Sequence, residues 1–134
     1  MVKKIITSGK RKTAIARAVI VKGDGKIIIN NKDHKNLQIF DKFEIEEPLR
    51  IGKEVLGKLN FNVSITVRGG GEKGQIDAAR VALARAMVKF SNSKELNSAF
   101  LNYDRNLIVA DVRRKEMYKP GDSKARKKRQ SSKR

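Results

Sequence analysis

The sequence predicts one mixed α/β (α+β) domain over residues 1–112, followed by an extended basic tail over residues 113–134. Three observations lead there. Two β-rich runs flank Gly23-Asp24-Gly25, the pattern of a strand reversal. A cleanly alternating run, Phe61 to Arg68, passes through three glycines into a long segment with helical apolar spacing. From Arg113 onward, eleven Lys/Arg stand against only Glu116 and Asp122, which places half of the chain's net charge of +18 in the last stretch.

Taken in order, Val2 to Ile6 reads as a short strand, and Thr7-Ser8-Gly9 as a turn or irregular link. Lys10, Arg11 and Lys12 then head a second strand, Thr13 to Lys22, rich in Ile and Val. Ala14, Ala16 and Ala18 alternate on one face of it, small enough for a helix to pack closely. Arg17 lies on the other face with Ile15, Val19 and Val21, as a snorkelling residue or a phosphate contact. The glycine reversal leads to a return strand, Lys26 to Asn30, and Asn30 to Asp33 makes another turn. Asp41 is placed to cap a short helix through Glu47. Pro48 fits the first turn of a new helix ended by Gly57. Glu44, Glu46 and Glu47 read as a solvated helix face.

In the strand Phe61 to Arg68, Phe61, Val63, Ile65 and Val67 face one way. After Gly69-Gly70-Gly71, a helix runs to about Phe90, with Ile76, Ala79, Leu83, Ala86, Met87 and Phe90 on one stripe. A further helix follows from Lys94 to about Tyr103. Leu107 to Val109 is a last apolar tether before the tail.

Composition excludes several classes of chemistry. Cysteine is absent, which removes disulfides, thiolate metal sites and a Cys nucleophile. His34 is the only histidine, so a multi-His metal site or a Ser-His-Asp triad is hard to build. Between Asp33 and Lys35 it reads as a solvated turn residue. No window approaches the roughly 18 apolar residues of a membrane span, and the N-terminus lacks a signal-peptide run, so a cytoplasmic protein is expected.

The glycine turn RGGGEKGQ invites a nucleotide reading. Gly69, Gly71 and Gly74 match G-x-G-x-x-G, with Glu95 about twenty residues on. The phosphate-loop pattern fails, because Gln75 and Ile76 stand where Lys and Ser/Thr are required. What survives is physical: glycines let a backbone approach a phosphate, and the next helix presents free N–H groups. A tight turn needing positive φ explains the same glycines without a ligand.

A pI near 10.5 points to a polyanion. The tail has no apolar helical face for a membrane surface, which leaves nucleic acid. Pro120-Gly121 breaks any helix there, and nothing beyond Met117 and Tyr118 is large enough to bury. Fully extended, the tail reaches at most about 70–80 Å. The first 22 residues add seven Lys/Arg and no acid. With five Phe, two Tyr and no Trp, a base-stacking platform is not expected; RNA shape and backbone are.

SGKRKTAIARA (Ser8 to Ala18), RGGGEKGQ with its Ala/Arg-rich helix, and the ending KARKKRQSSKR resemble the universal family of the ninth small-subunit ribosomal protein. The resemblance spans about Ile5 to Arg134. EEPL and YDRNLIVAD look like archaeal and eukaryotic members, whereas the terminal Ser-Lys-Arg looks bacterial; an archaeal member is the expectation. The resemblance implies a mainly antiparallel sheet packed by helices, like the second domain of the fifth small-subunit protein. It implies a place in the head of the small ribosomal subunit, beside neighbouring ribosomal proteins, with no catalysis, cofactor or metal.

On this reading ribosomal RNA is bound by Lys10, Arg11, Lys12, Arg17, Arg68, Gly69, Gly70, Gly71, Arg113, Arg114, Lys124, Arg126, Lys127, Lys128 and Arg129. Ser132, Lys133 and Arg134 reach P-site tRNA, where an Arg fork binds phosphate bidentately. The rival readings are a free-standing nucleic-acid chaperone using the same basic segments and a nucleotide-dependent protein built on the glycine turn.

Overall fold

The computed structural model describes residues 4–108. They form a five-stranded sheet with three long helices: β1 (Ile5–Arg11), β2 (Ala14–Lys22), β3 (Ile27–Ile29), β4 (Lys32–Asp33), α1 (Ile39–Leu56), β5 (Phe61–Arg68), α2 (Glu72–Ser91) and α3 (Lys94–Tyr103). The strand order is β1-β2-β5-β3-β4, and only the β3–β5 pair is parallel. The mixed α/β class and the mainly antiparallel sheet are as expected.

β1 is longer than its sequence suggests. Ser8 and Gly9 look like a turn, yet both lie inside the strand, and Lys10 and Arg11 complete it rather than opening β2. The reason is α2. A Cβ on Gly9 would stand 2.3 Å from the Ala78 carbonyl oxygen and 2.6 Å from the Ala82 amide nitrogen, so only glycine lets strand and helix touch there. Two residues away, buried Thr7 donates its hydroxyl hydrogen to the Ala82 carbonyl at 2.9 Å. The same helix covers Ala14, Ala16 and Ala18, all fully buried, as the alternation of small residues implies.

The expected hairpin at Gly23-Asp24-Gly25 is opened. β3 does return antiparallel to β2, but β5 enters between them and pairs with both. Asn62 of β5 holds the gap: its side-chain oxygen accepts from the amides of Asp24, Gly25 and Lys26 at 3.0–3.1 Å. The turn at Asn30-Asn31 holds, both residues taking positive φ, and the Asn30 side chain accepts from the Val67 amide.

Two helices were expected on either side of Pro48, and one is found. Pro48 is buried inside α1, which packs on α2 and α3 through Ile45, Pro48 and Gly52. That burial outweighs the hydrogen bond Pro48 forfeits. Gly57 ends the helix, its amide bonded to the Lys53 carbonyl. His34 is also corrected: it is buried in a single 3-10 turn beside Asp33, with Nδ1 to Oδ1 at 3.3 Å. The Lys35 amide, donating to Asp33, holds that carboxyl below its usual range.

α2 and α3 fall where their periodicity places them. Ser93 caps α3 by accepting from the Leu96 amide. The last described turn buries Leu107 completely, so the apolar tether begins as expected; Val109 lies outside the described residues.

Candidate nucleic-acid interface

Because α2 covers one face of β1, β2 and β5, alternation leaves the other face open. Register sorts that face into rows. Ser8, Arg17 and Thr66 lie level across three strands, and Lys10, Ile15 and Arg68 form the next row. Lys12, at positive φ in the β1–β2 turn, stands beyond Lys10. Thus four of the cations picked from sequence, Lys10, Lys12, Arg17 and Arg68, share one end of an open face, and all four are exposed. Neither row contains an acid. A field of one sign over a solvated surface attracts a polyanion at long range and holds it by counterion release.

The glycine turn closes the same end. Gly69 and Gly70 take φ of 76° and 67°. A Cβ on Gly69 would meet the Thr13 carbonyl oxygen at 2.7 Å, and one on Gly70 would meet Ala14 Cβ at 2.9 Å. These two glycines therefore serve the fold. Gly71 does not: its φ is −90°, nothing lies within 4 Å of an added Cβ, and it is the N-cap of α2 without a side-chain cap. The first amides of a twenty-residue helix open there, beside a cleft of roughly 600 Å³ lined by Arg11, Lys12, Gly71, Lys73, Glu72 and Asp77. Glu72 suits the helix dipole but repels an anion, so the cleft is more mixed in charge than the sheet face.

Other charged side chains belong to the fold. Arg11 turns to the helix side, 3.7 Å from Asp77. Arg80 pairs with Glu47 and with Asp104 at 3.6 Å, joining α1, α2 and the end of α3. The supposed solvated Glu face is therefore partly internal: Glu44, Glu46 and Glu47 are all half-buried. Desolvation pushes the Glu44 carboxyl above its usual range, with Asp77 adding to it. Arg85 donates to the carbonyls of Ile108 at 2.8 Å and Ser8 at 2.9 Å. Helical spacing alone does not distinguish Arg80 and Arg85 from free cations. Lys73, in the cleft, is a residue the sequence reading passed over, although its place two residues after Gly71 signals it. Arg113, Arg114, Lys124, Arg126, Lys127, Lys128, Arg129, Ser132, Lys133 and Arg134 lie outside the described residues.

These features define a class: a basic α/β domain whose open sheet ends in a cationic patch beside an uncapped helix N-terminus. Among the described residues no group of three or more His, Asp or Glu is placed to hold a metal, and no helix is long and apolar enough to cross a membrane. The model of the ribosomal protein S9/S16 family matches residues 9–134, and the chain belongs to that family, a family of structural ribosomal proteins not known to be enzymatic. It is 44% identical over 122 residues to the small ribosomal subunit protein uS9 of Methanococcus vannielii, 90% of each chain. The uS9 protein of Thermoplasma acidophilum is 47% identical over 129 residues, 96% of this chain and 98% of its own. That of Methanococcus maripaludis is 45% identical over 133 residues, 97% and 98%. These relatives are archaeal, in line with the sequence expectation.

Proposed function

We propose that the chain is a structural component of the small ribosomal subunit in the cytoplasm, binding the RNA of the subunit head beside neighbouring ribosomal proteins, with its tail extended to P-site tRNA. The observation that carries the RNA part is the gathering of Lys10, Arg17 and Arg68 in two acid-free rows of an open sheet face, with Lys12 beside them in the β1–β2 turn. Gly71 adds helix amides to that end. RNA backbone suits such a surface, because it offers phosphates at regular spacing and needs no aromatic platform. The basic segment from Arg113 supplies the reach, with Arg113, Arg114, Lys124 and Arg126 to Arg129 on ribosomal RNA. Ser132, Lys133 and Arg134 contact tRNA.

Two deletions test the division of labour. Removing Ser132 to Arg134 weakens P-site tRNA binding and leaves subunit incorporation nearly intact; removing Lys124 to Arg134 reduces both. Unchanged tRNA affinity after the short deletion, at low and moderate salt, rules out the tRNA role. Sedimentation of washed subunits separates this reading from a free-standing chaperone, which leaves the particle at high salt.

A further inference from the structure

We infer that the N-terminal half of α1, with the end of α3, is a docking surface for a Lys/Arg-rich segment of a neighbouring small-subunit protein. Aromatic side chains carry the inference. Phe61, Phe90 and Phe100 lie in or against the core, whereas Phe40 is 79% exposed, Phe43 46% and Tyr103 56%. Among the described residues these are the exposed aromatics, and they fall in one place. Phe40, Phe43, Glu44 and Glu47 stand at i, i+3, i+4 and i+7, along one face of α1. Arg80 of α2 pairs with both Glu47 and Asp104, and Asp104 directly follows Tyr103, so the end of α3 meets that face. Ile39, also exposed, widens it one turn before Phe43. Large apolar groups gathered in water mark a surface that something else covers.

Charge selects the occupant. The chain carries +18, yet Asp41, Glu44, Glu47, Asp77 and Asp104 gather around these aromatics. Burial first, then Asp77, Asp41 and Glu47, raise the Glu44 carboxyl while Arg80 lowers it, so these charges share one locality. Half-buried Arg80 is engaged with two of the acids, and Arg50 pairs with Glu46 at 3.5 Å. Lys42 lies about 100° or more round the helix from Phe40 and Phe43. An RNA backbone is repelled by such a surface, and this helical layer lies across the sheet from Lys10, Arg17 and Arg68. A cationic protein segment fits both of its properties. Guanidinium or ammonium groups lie over aromatic faces and pair with the carboxylates around them. Protein interfaces bury aromatic anchors at their centres, with Arg among the favoured partners. The inference rests on the small-subunit reading for the source of the partner, and not on where RNA binds.

Azidophenylalanine, which crosslinks protein and RNA alike, replaces Phe40 in the full-length chain, and the chain is assembled into small subunits. The expected product is a crosslink to a protein other than this chain, mapped to a segment in which Lys and Arg outnumber Asp and Glu. Crosslinks only to RNA, only to this chain itself, only to a neutral or acidic segment, or none from incorporated chain, overturn the docking. The mapped protein is then titrated with the free chain. Phe40→Ser/Phe43→Ser is expected to bind it at least about tenfold more weakly than the parent. The urea midpoint and the affinity for small-subunit RNA stay unchanged, because both side chains are exposed and lie off the cationic face. Equal affinity for the mapped protein overturns the docking. If the double variant's midpoint falls, Phe40→Ser alone, at the more exposed position, repeats the test. At least about threefold weaker binding is then expected, and equal affinity again overturns it. Failure of the chain to enter subunits defeats the small-subunit reading and this inference with it; entry without the expected crosslink defeats this inference alone.

Discussion

The three glycines after β5 divide into two roles, and a single substitution separates them. Gly71→Asp places a good N-cap at the start of α2, in extended backbone with nothing within 4 Å of the new Cβ. The carboxylate accepts from a first-turn amide and favours the helix dipole, so the domain gains about 0.3–1 kcal/mol. The same carboxylate takes up donors a phosphate would use and brings a like charge within about 4–6 Å of it. At an effective dielectric between that of water and that of a protein surface, this repulsion is about 1–3 kcal/mol. Affinity for small-subunit RNA then falls by about 5- to 150-fold. Gly71→Asn caps without the charge and loses less.

Gly70→Ala behaves in the opposite way. Its φ of 67° and the 2.9 Å approach to Ala14 Cβ cost the fold about 2–4 kcal/mol, with no charge added. Urea unfolding measures stability, and titration of a head-domain RNA fragment at several salt concentrations measures affinity. If Gly71→Asp is stabilised yet binds RNA as tightly as the parent at low salt, no phosphate sits at the N-terminus of α2.

Three further outcomes follow from the geometry. Gly9→Ala forces β1 off α2 and strains the Thr7–Ala82 hydrogen bond, costing about 2–4 kcal/mol in urea unfolding, well above an ordinary surface change. Glu44 has a raised folded pKa, so between 4.5 and that raised value the folded state holds more proton than the unfolded chain, and stability falls as pH rises through this window. Glu44→Gln removes that decline and stabilises the domain at pH 7, which unfolding at several pH values checks. Arg17→Gln and Arg68→Gln each lower the slope of log affinity against log salt by about 0.7–0.9 if each side chain neutralises one phosphate. An unchanged slope assigns that residue to the fold alone.

Much of this was legible in the sequence wherever the cause is local. The alternation in Phe61 to Arg68, the alanines of β2 and the apolar stripe of α2 depend on the chain's own period, and they fall where expected. The misses have distant causes. Gly9 resembles a turn glycine because its reason, α2, begins more than sixty residues later. Gly23 to Gly25 resembles a closed hairpin because nothing nearby in sequence announces that Asn62 will fill the gap. Pro48 breaks a helix in isolation and not when buried against two others. At the site, the cations Lys10, Lys12, Arg17 and Arg68 were readable as residues, but their meeting at one end required the register of β1, β2 and β5.

The insertion of β5 between β2 and β3 also constrains the order of events in folding. β1 and β2 are joined by a two-residue turn and close quickly once made, whereas β2 must wait for a partner some fifty residues away in the chain. Such distant pairing is slow. As the polypeptide leaves a translating ribosome, β2 and β3 emerge with their gap empty, two strand edges without partners, until α1 and then β5 arrive. A synthesis pause after residue 68 gives that late strand time to enter; one before residue 61 leaves the edges open to aggregation.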